Sequence, residues 1–112
     1  MTLQQAKQIV RAAQAAIDAA PAGGSADALA PHIGDGYRWR GYHPFGDLTG
    51  AGAVASRFWD PLKTALTRMQ RREDIFFAGL NEIDGFQSCW VVSMGHFMGL
   101  FDAPWLGIRP TR

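Results

Sequence analysis

The chain has 112 residues, enough for one domain with one core and not for two. Eleven Lys and Arg against ten Asp and Glu leave a net charge of +1, so no long-range field draws it to nucleic acid or to an anionic membrane. Its single cysteine, Cys89, excludes an internal disulfide, and without a close His/Cys grouping no structural zinc site is expected.

The N-terminus, Met-Thr-Leu-Gln-Gln-Ala-Lys-Gln, lacks the basic and apolar regions of a signal peptide, and no apolar run reaches membrane-spanning length. The expectation is a cytoplasmic protein with no membrane partner.

A first helix follows from Leu3, Ala6, Ile9, Val10, Ala13, Ile17 and Ala20, which fall on one face, with Thr2 and Gln5 at capping-box spacing. Pro21-Ala-Gly-Gly ends it. Ser25 can cap a short second helix carrying Ala28, Leu29 and Ile33, limited by Pro31. Tyr37-Arg-Trp-Arg-Gly-Tyr42 alternates aromatic and basic residues as a short strand does, and His43 to Gly50 reads as a loop.

From Thr49 as N-cap, Val54, Phe58, Leu62, Ala65, Leu66 and Met69 predict a third helix, with a kink or restart at Asp60-Pro61. Arg71 to Ile83 and Cys89 to Phe101 then read as strands joined by the turn cluster Asp84-Gly-Phe-Gln-Ser88. Helices followed by antiparallel strands predict an α+β domain, its helices packed on one face of a curved sheet. Three strands are few for such a sheet, and the last would present an open apolar edge.

The run from Cys89 to Phe101 alternates with period two: Trp90, Val92, Met94, His96, Met98 and Leu100 on one face, Cys89, Val91, Ser93, Gly95, Phe97, Gly99 and Phe101 on the other. His96 is the one ionisable group of the bulky face. It reads either as a hydrogen-bonded core histidine or as the polar group of a ligand pocket.

Gly95-His96-Phe97-Met98-Gly99-Leu100-Phe101 followed by Gly107-Ile108-Arg109-Pro110-Thr111 resembles the Gly-Thr-His-x-Gly-x-Phe and Gly-Ile-Pro-Pro-Thr segment of SnoaL-like polyketide cyclases, in the nuclear transport factor 2-like superfamily. The order of elements is also similar, including the Trp-containing strand and the helix bearing Phe58-Trp59-Asp60-Pro61-Leu62. Arg112 stands where a glycine usually follows the Pro-Thr pair.

The resemblance implies a cone-shaped half-barrel whose concave face, closed by helices, forms a deep apolar pocket, and whose convex face often pairs subunits as a homodimer. It assigns the His96 face to the inside of that cone. Two further strands normally follow, one carrying the acid-base aspartate that works with a histidine, and no residue of this chain matches that aspartate. The sequence thus corresponds to the first two-thirds of such a domain, and is expected to need a continuation or a second copy to complete the sheet.

Candidate residues follow. His96 would hydrogen-bond a substrate carbonyl or act as acid-base partner to a carboxylate. Tyr37 and Trp39 share a parity and could form an aromatic wall against a planar ligand, or simply pack. His43 sits in a loop that could overhang a pocket mouth, or is merely exposed. Trp90, Met94 and Met98 are core residues compatible with lining a pocket. Asp35 and Asp47 are explained by turn chemistry, and Arg68, Arg71 and Arg72 by the end of a helix balanced by Glu73 and Asp74.

Two functions fit. One is a cofactor-independent enzyme acting by acid-base chemistry, as a cyclase, isomerase or hydratase, on an apolar polyketide-like small molecule. The other is a non-catalytic module using the same cone to hold a ligand or a protein partner.

Overall fold

The computed structural model describes residues 1–110. Thr111, which ends the Gly-Ile-Arg-Pro-Thr motif, and Arg112 after it lie outside the described residues. Helix α1 spans Leu3–Ala19 and opens on the expected capping box: Thr2 Oγ1 accepts from the Gln5 amide at 3.1 Å, and Gln5 Oε1 accepts from the Thr2 amide at 2.8 Å. Pro21 holds Ala20 extended and stops the helix. The last carbonyls are then satisfied from another element, because Lys63 Nζ donates to the Ile17 and Ala20 carbonyl oxygens.

Helix α2, Ser25–Leu29, runs into one 3-10 turn at Ala30–His32. Ser25 does not cap it. Gly24 holds the cap position, the Ser25 amide donates to Asp60 Oδ1 at 3.3 Å, and the Ser25 side chain is fully buried. A carboxylate from Asp60 therefore accepts from the first turn, where the neutral hydroxyl of Ser25 was expected to do so.

Strand β1, Arg38–Arg40, pairs antiparallel with β2, Asp47–Thr49, with Trp39 opposite Leu48 and Arg40 opposite Asp47. This corrects the expected loop from His43 to Gly50: its second half is a strand, too short for period two to show, whose one buried residue is Leu48. Asp47 is correspondingly a strand residue facing Arg40 and not a turn residue.

Thr49 is the N-cap of α3, Gly50–Val54, without a side-chain hydrogen bond. A π-helical turn at Ala55–Trp59 leads into α4, Asp60–Ala65. The irregularity expected at Asp60-Pro61 is this widened turn: Pro61 has no N–H to return to the preceding turn, and its ring crowds the carbonyl there. The helix ends at Ala65 and does not reach Met69. Leu66 and Met69 continue the helical spacing, but Leu66 and Thr67 pair with the last strand and the chain runs on in that pairing through a bulge, so tertiary pairing overrides a local pattern.

Strands β3, Leu66–Leu80, and β4, Cys89–Phe101, form a long antiparallel hairpin. Its turn is held by Asp84, which accepts from the Gln87 amide at 2.9 Å, the Ser88 amide and the Ser88 hydroxyl. The pairing breaks register twice, between Thr67 and Gln70 and between Glu73 and Ile75, where β3 carries an extra residue. Both glycines of the Gly95-x-x-x-Gly99 spacing lie opposite these bulges. A Cβ at Gly95 would come 2.0 Å from the Arg72 carbonyl oxygen, and one at Gly99 would come 3.0 Å from that of Thr67.

The protein is thus α+β, with two separate two-stranded sheets where one curved sheet was expected. Ile17, Leu29, Leu48 and Val54 form the core, with Trp39 and Trp59 packed against it. The helix α1 lies on one face of the β3–β4 hairpin, which extends beyond the core. The radius of gyration, 15.3 Å, exceeds the roughly 13 Å of a compact domain of this length, because the hairpin projects. Among the described residues no helix is long and apolar enough to cross a membrane.

Candidate functional site

The two parities of β4 have different surroundings. Ser93 and Phe97 face α1: Gln14 Nε2 donates to Ser93 Oγ at 3.0 Å, Ser93 Oγ donates to Glu73 Oε2 at 3.1 Å, and Glu73 pairs with Arg11 at 3.2 Å. The Phe97 ring meets Trp59 edge-on at 5.8 Å, and the Arg71 guanidinium lies 4.6 Å from its centre. Arg71 is in turn fixed by a bidentate pair with Asp18, at 2.7 and 2.9 Å.

The stripe of His96 lies on the opposite face, away from α1. Trp90, Met94 and Met98 are 61, 57 and 44 % exposed. The packed face is therefore the one carrying Ser93 and Phe97, because α1 presents Arg11, Gln14 and Asp18 to the hairpin and these groups require polar partners.

His96 nonetheless has a partner. Its Nδ1 lies 2.9 Å from Asp74 Oδ2, and Asp74 Oδ1 accepts from Arg72 Nε at 3.0 Å. Arg72 is paired across the hairpin with His96, and Asp74 is the extra residue of the second bulge, so all three side chains share a face. The His96 side chain is 64 % exposed, and an ion pair so open contributes little to stability. What it supplies is orientation. With Nδ1 donating to the carboxylate, the neutral ring carries its lone pair on Nε2, which has no partner among the described residues.

Sequence alone does not single out Asp74, which reads there as a counter-charge to a helix end. Counting back from the hairpin turn brings this stretch of β3 near Gly95 and His96, but only the bulge sets Arg72 opposite His96 and leaves Asp74 beside them.

Tyr37 and Trp39 come together elsewhere. With Ile17, Leu29 and Trp59 they line a cavity of about 180 Å³ between α1 and β1. Burial pushes the Tyr37 hydroxyl above its usual pKa. The Trp39 and Phe58 rings meet at 4.9 Å with a 40° tilt, and Phe58 meets Trp59 edge-on at the same distance, so the wall is a packed aromatic cluster. His43 is exposed in the turn before β2, bonded to Pro44 by a cis peptide, and belongs to neither place.

The named residues thus fall at three locations, with His96, Trp90, Met94 and Met98 on one side of the hairpin and Tyr37 and Trp39 on the other. Among the described residues no three His, Cys, Asp or Glu side chains converge on a possible metal position. Comparison of the chain with family models, with curated proteins and with solved structures finds no match in any of the three.

Proposed function

We propose that this protein is a SnoaL-like small-molecule enzyme of the nuclear transport factor 2-like superfamily, working by acid-base chemistry without a cofactor on an apolar, polyketide-like substrate. The observation that carries the reading is the contact of His96 Nδ1 with Asp74 Oδ2 at 2.9 Å, which leaves Nε2 free to take a proton from, or return one to, a bound molecule. Met94 and Met98 flank His96 on the same face and offer an apolar bed for the substrate. Asp74 acts as a positioning carboxylate for His96, a role distinct from that of the acid-base aspartate the resemblance puts on a later strand. The order of elements supports the cone, with His96 on the face of the hairpin that α1 leaves open and not on the helix-closed face the resemblance gives it.

Such chemistry gains from the exclusion of water, and the face holding His96 is open in the single chain. The reading therefore includes a homodimer in which a second copy covers Trp90, Met94 and Met98. The test is deuterium exchange at the α-carbon of an aryl β-keto ester, followed with the unaltered chain and with His96→Gln and Asp74→Asn. The expected loss is on the order of 10²-fold or more for His96→Gln and smaller for Asp74→Asn. Exchange catalysed equally well by His96→Gln would remove the enzyme reading.

A second reading, a non-catalytic ligand-binding module, is favoured by the cavity lined by Tyr37, Trp39 and Trp59, which lies on the other side of the hairpin from the His96 pair. An aromatic ligand that quenches tryptophan fluorescence equally in the unaltered chain and in His96→Gln, with no turnover, would support it.

A further inference from the structure

A larger cavity, of about 360 Å³, lies where the C-terminal end of α1, the end of α4 and the start of β3 meet. Its charge is unlike that of the chain as a whole. Lys63, Arg68 and Arg71 line it against one carboxylate, Asp18, a local net of +2 on a chain whose total is +1.

The three cations differ in what they have left to offer. Arg71 holds both oxygens of Asp18 through its Nε and Nη2 atoms, so this carboxylate is already neutralised. Lys63 directs two of its three N–H groups at the Ile17 and Ala20 carbonyls, which caps the negative end of α1 and leaves one donor. Partial burial lowers the Lys63 pKa, with Asp60 and Asp18 opposing that shift, as expected for an ammonium with incomplete solvation. Arg68 has no partner among the described residues. It is the left-handed residue of the first bulge, at φ 54°, so the backbone irregularity that Gly99 permits sets the direction of an uncommitted guanidinium. Pro21, Leu66, Met69 and Phe97 line the same cavity and give it apolar surface.

We infer that this cavity binds a small organic acid, its carboxylate on Arg68 and Lys63 and its apolar body against Leu66, Met69 and Phe97. A planar guanidinium and an ammonium in a cavity that also has apolar lining suit a carboxylate with a hydrocarbon tail better than a fully hydrated inorganic anion. The volume is at the small end of ligand sites, which run from roughly 300 to 1,000 Å³. The site is independent of the acid-base reading: Phe97 faces the helices and His96 faces away from them.

The test is a titration of the chain, followed by amide and arginine Nε signals in NMR, with hexanoate, 1-hexanol and inorganic phosphate in separate arms. Hexanoate is expected to shift the signals of Arg68, Met69 and Phe97 saturably, at least tenfold more tightly than hexanol or phosphate, and Arg68→Ala is expected to weaken it at least tenfold. Hexanol binding as well as hexanoate would show a merely apolar cleft. Phosphate binding as well as hexanoate would show a generic anion site. Either result, or no saturable shift at Arg68, would overturn the assignment; these comparisons on the unaltered chain stand even if Arg68→Ala misfolds.

Discussion

Asp74 reaches His96 from the neighbouring strand: Oδ2 lies 2.9 Å from Nδ1, on the side of the β3–β4 hairpin that α1 leaves uncovered. Asp74 holds this place because β3 gains a residue there. Before the bulge, Arg71 and Glu73 point at α1; after it, Phe76 does, with the Arg11 guanidinium 3.9 Å from its ring centre. One inserted residue thus changes which parity of β3 is packed.

Gly95 is the residue that tolerates this bulge. Gly95→Ala places a Cβ against the Arg72 carbonyl, so the pairing must open locally, and a destabilisation of about 1–3 kcal/mol is expected in urea unfolding. Gly99→Ala meets its nearest backbone atom at 3.0 Å and should be tolerated better. Equal stability of Gly95→Ala and the unaltered chain would show that the bulge is not formed.

Tyr37 makes the fold sensitive to alkali. Burial raises its pKa above 10.0, so the neutral phenol contributes stability that is present in full below the unfolded value and is lost as pH rises through the folded one. In a Tyr42→Phe background the tyrosinate absorbance reports Tyr37 alone. Its ionisation should be delayed beyond that of the denatured chain, and Tyr37→Phe should reduce the loss of stability between pH 10 and 12.

Asp84 works in the opposite direction. Its hydrogen bond from the Ser88 hydroxyl, then those from the Gln87 and Ser88 amides, favour the carboxylate and hold its pKa below 3.8. Its stabilising effect is present above the unfolded value and lost as pH falls through the lowered one. Asp84→Ala should speed amide exchange at Gln87 and Ser88 at neutral pH, and the difference from the unaltered chain should vanish in strong acid. An unchanged exchange rate at neutral pH would contradict the turn described.

The apolar face around His96 is expected to pair two copies. Sedimentation equilibrium should give twice the chain mass at micromolar concentration, and Phe77→Glu with Met94→Glu, both on this exposed face, should return the monomer mass. A monomer at all concentrations would rule out the dimer.

Elements with strong local chemistry were legible in the sequence: the Thr2 and Gln5 box, the Asp84-Gly turn, the irregularity at Pro61 and the alternation of β4. Each depends on neighbours within a few residues. The length of the helix before β3, the strand at Asp47–Thr49 and the face of the hairpin that α1 covers depend on distant partners, and local spacing carries no record of them. The same holds for the site. Tyr37 and Trp39 share a parity, and they share a cavity, whereas the pairing of His96 with Asp74 emerges only once the bulge is placed.

The central claim is that Asp74 orients His96 with Nε2 free. Nitrogen-15 NMR of the imidazoles, with His96 assigned by its disappearance in His96→Gln, tests it most directly. Neutral His96 should be the Nδ1–H tautomer, and Asp74→Asn should move it toward the Nε2–H form. A dominant Nε2–H tautomer in the unaltered chain, or one that Asp74→Asn leaves unchanged, would contradict the account.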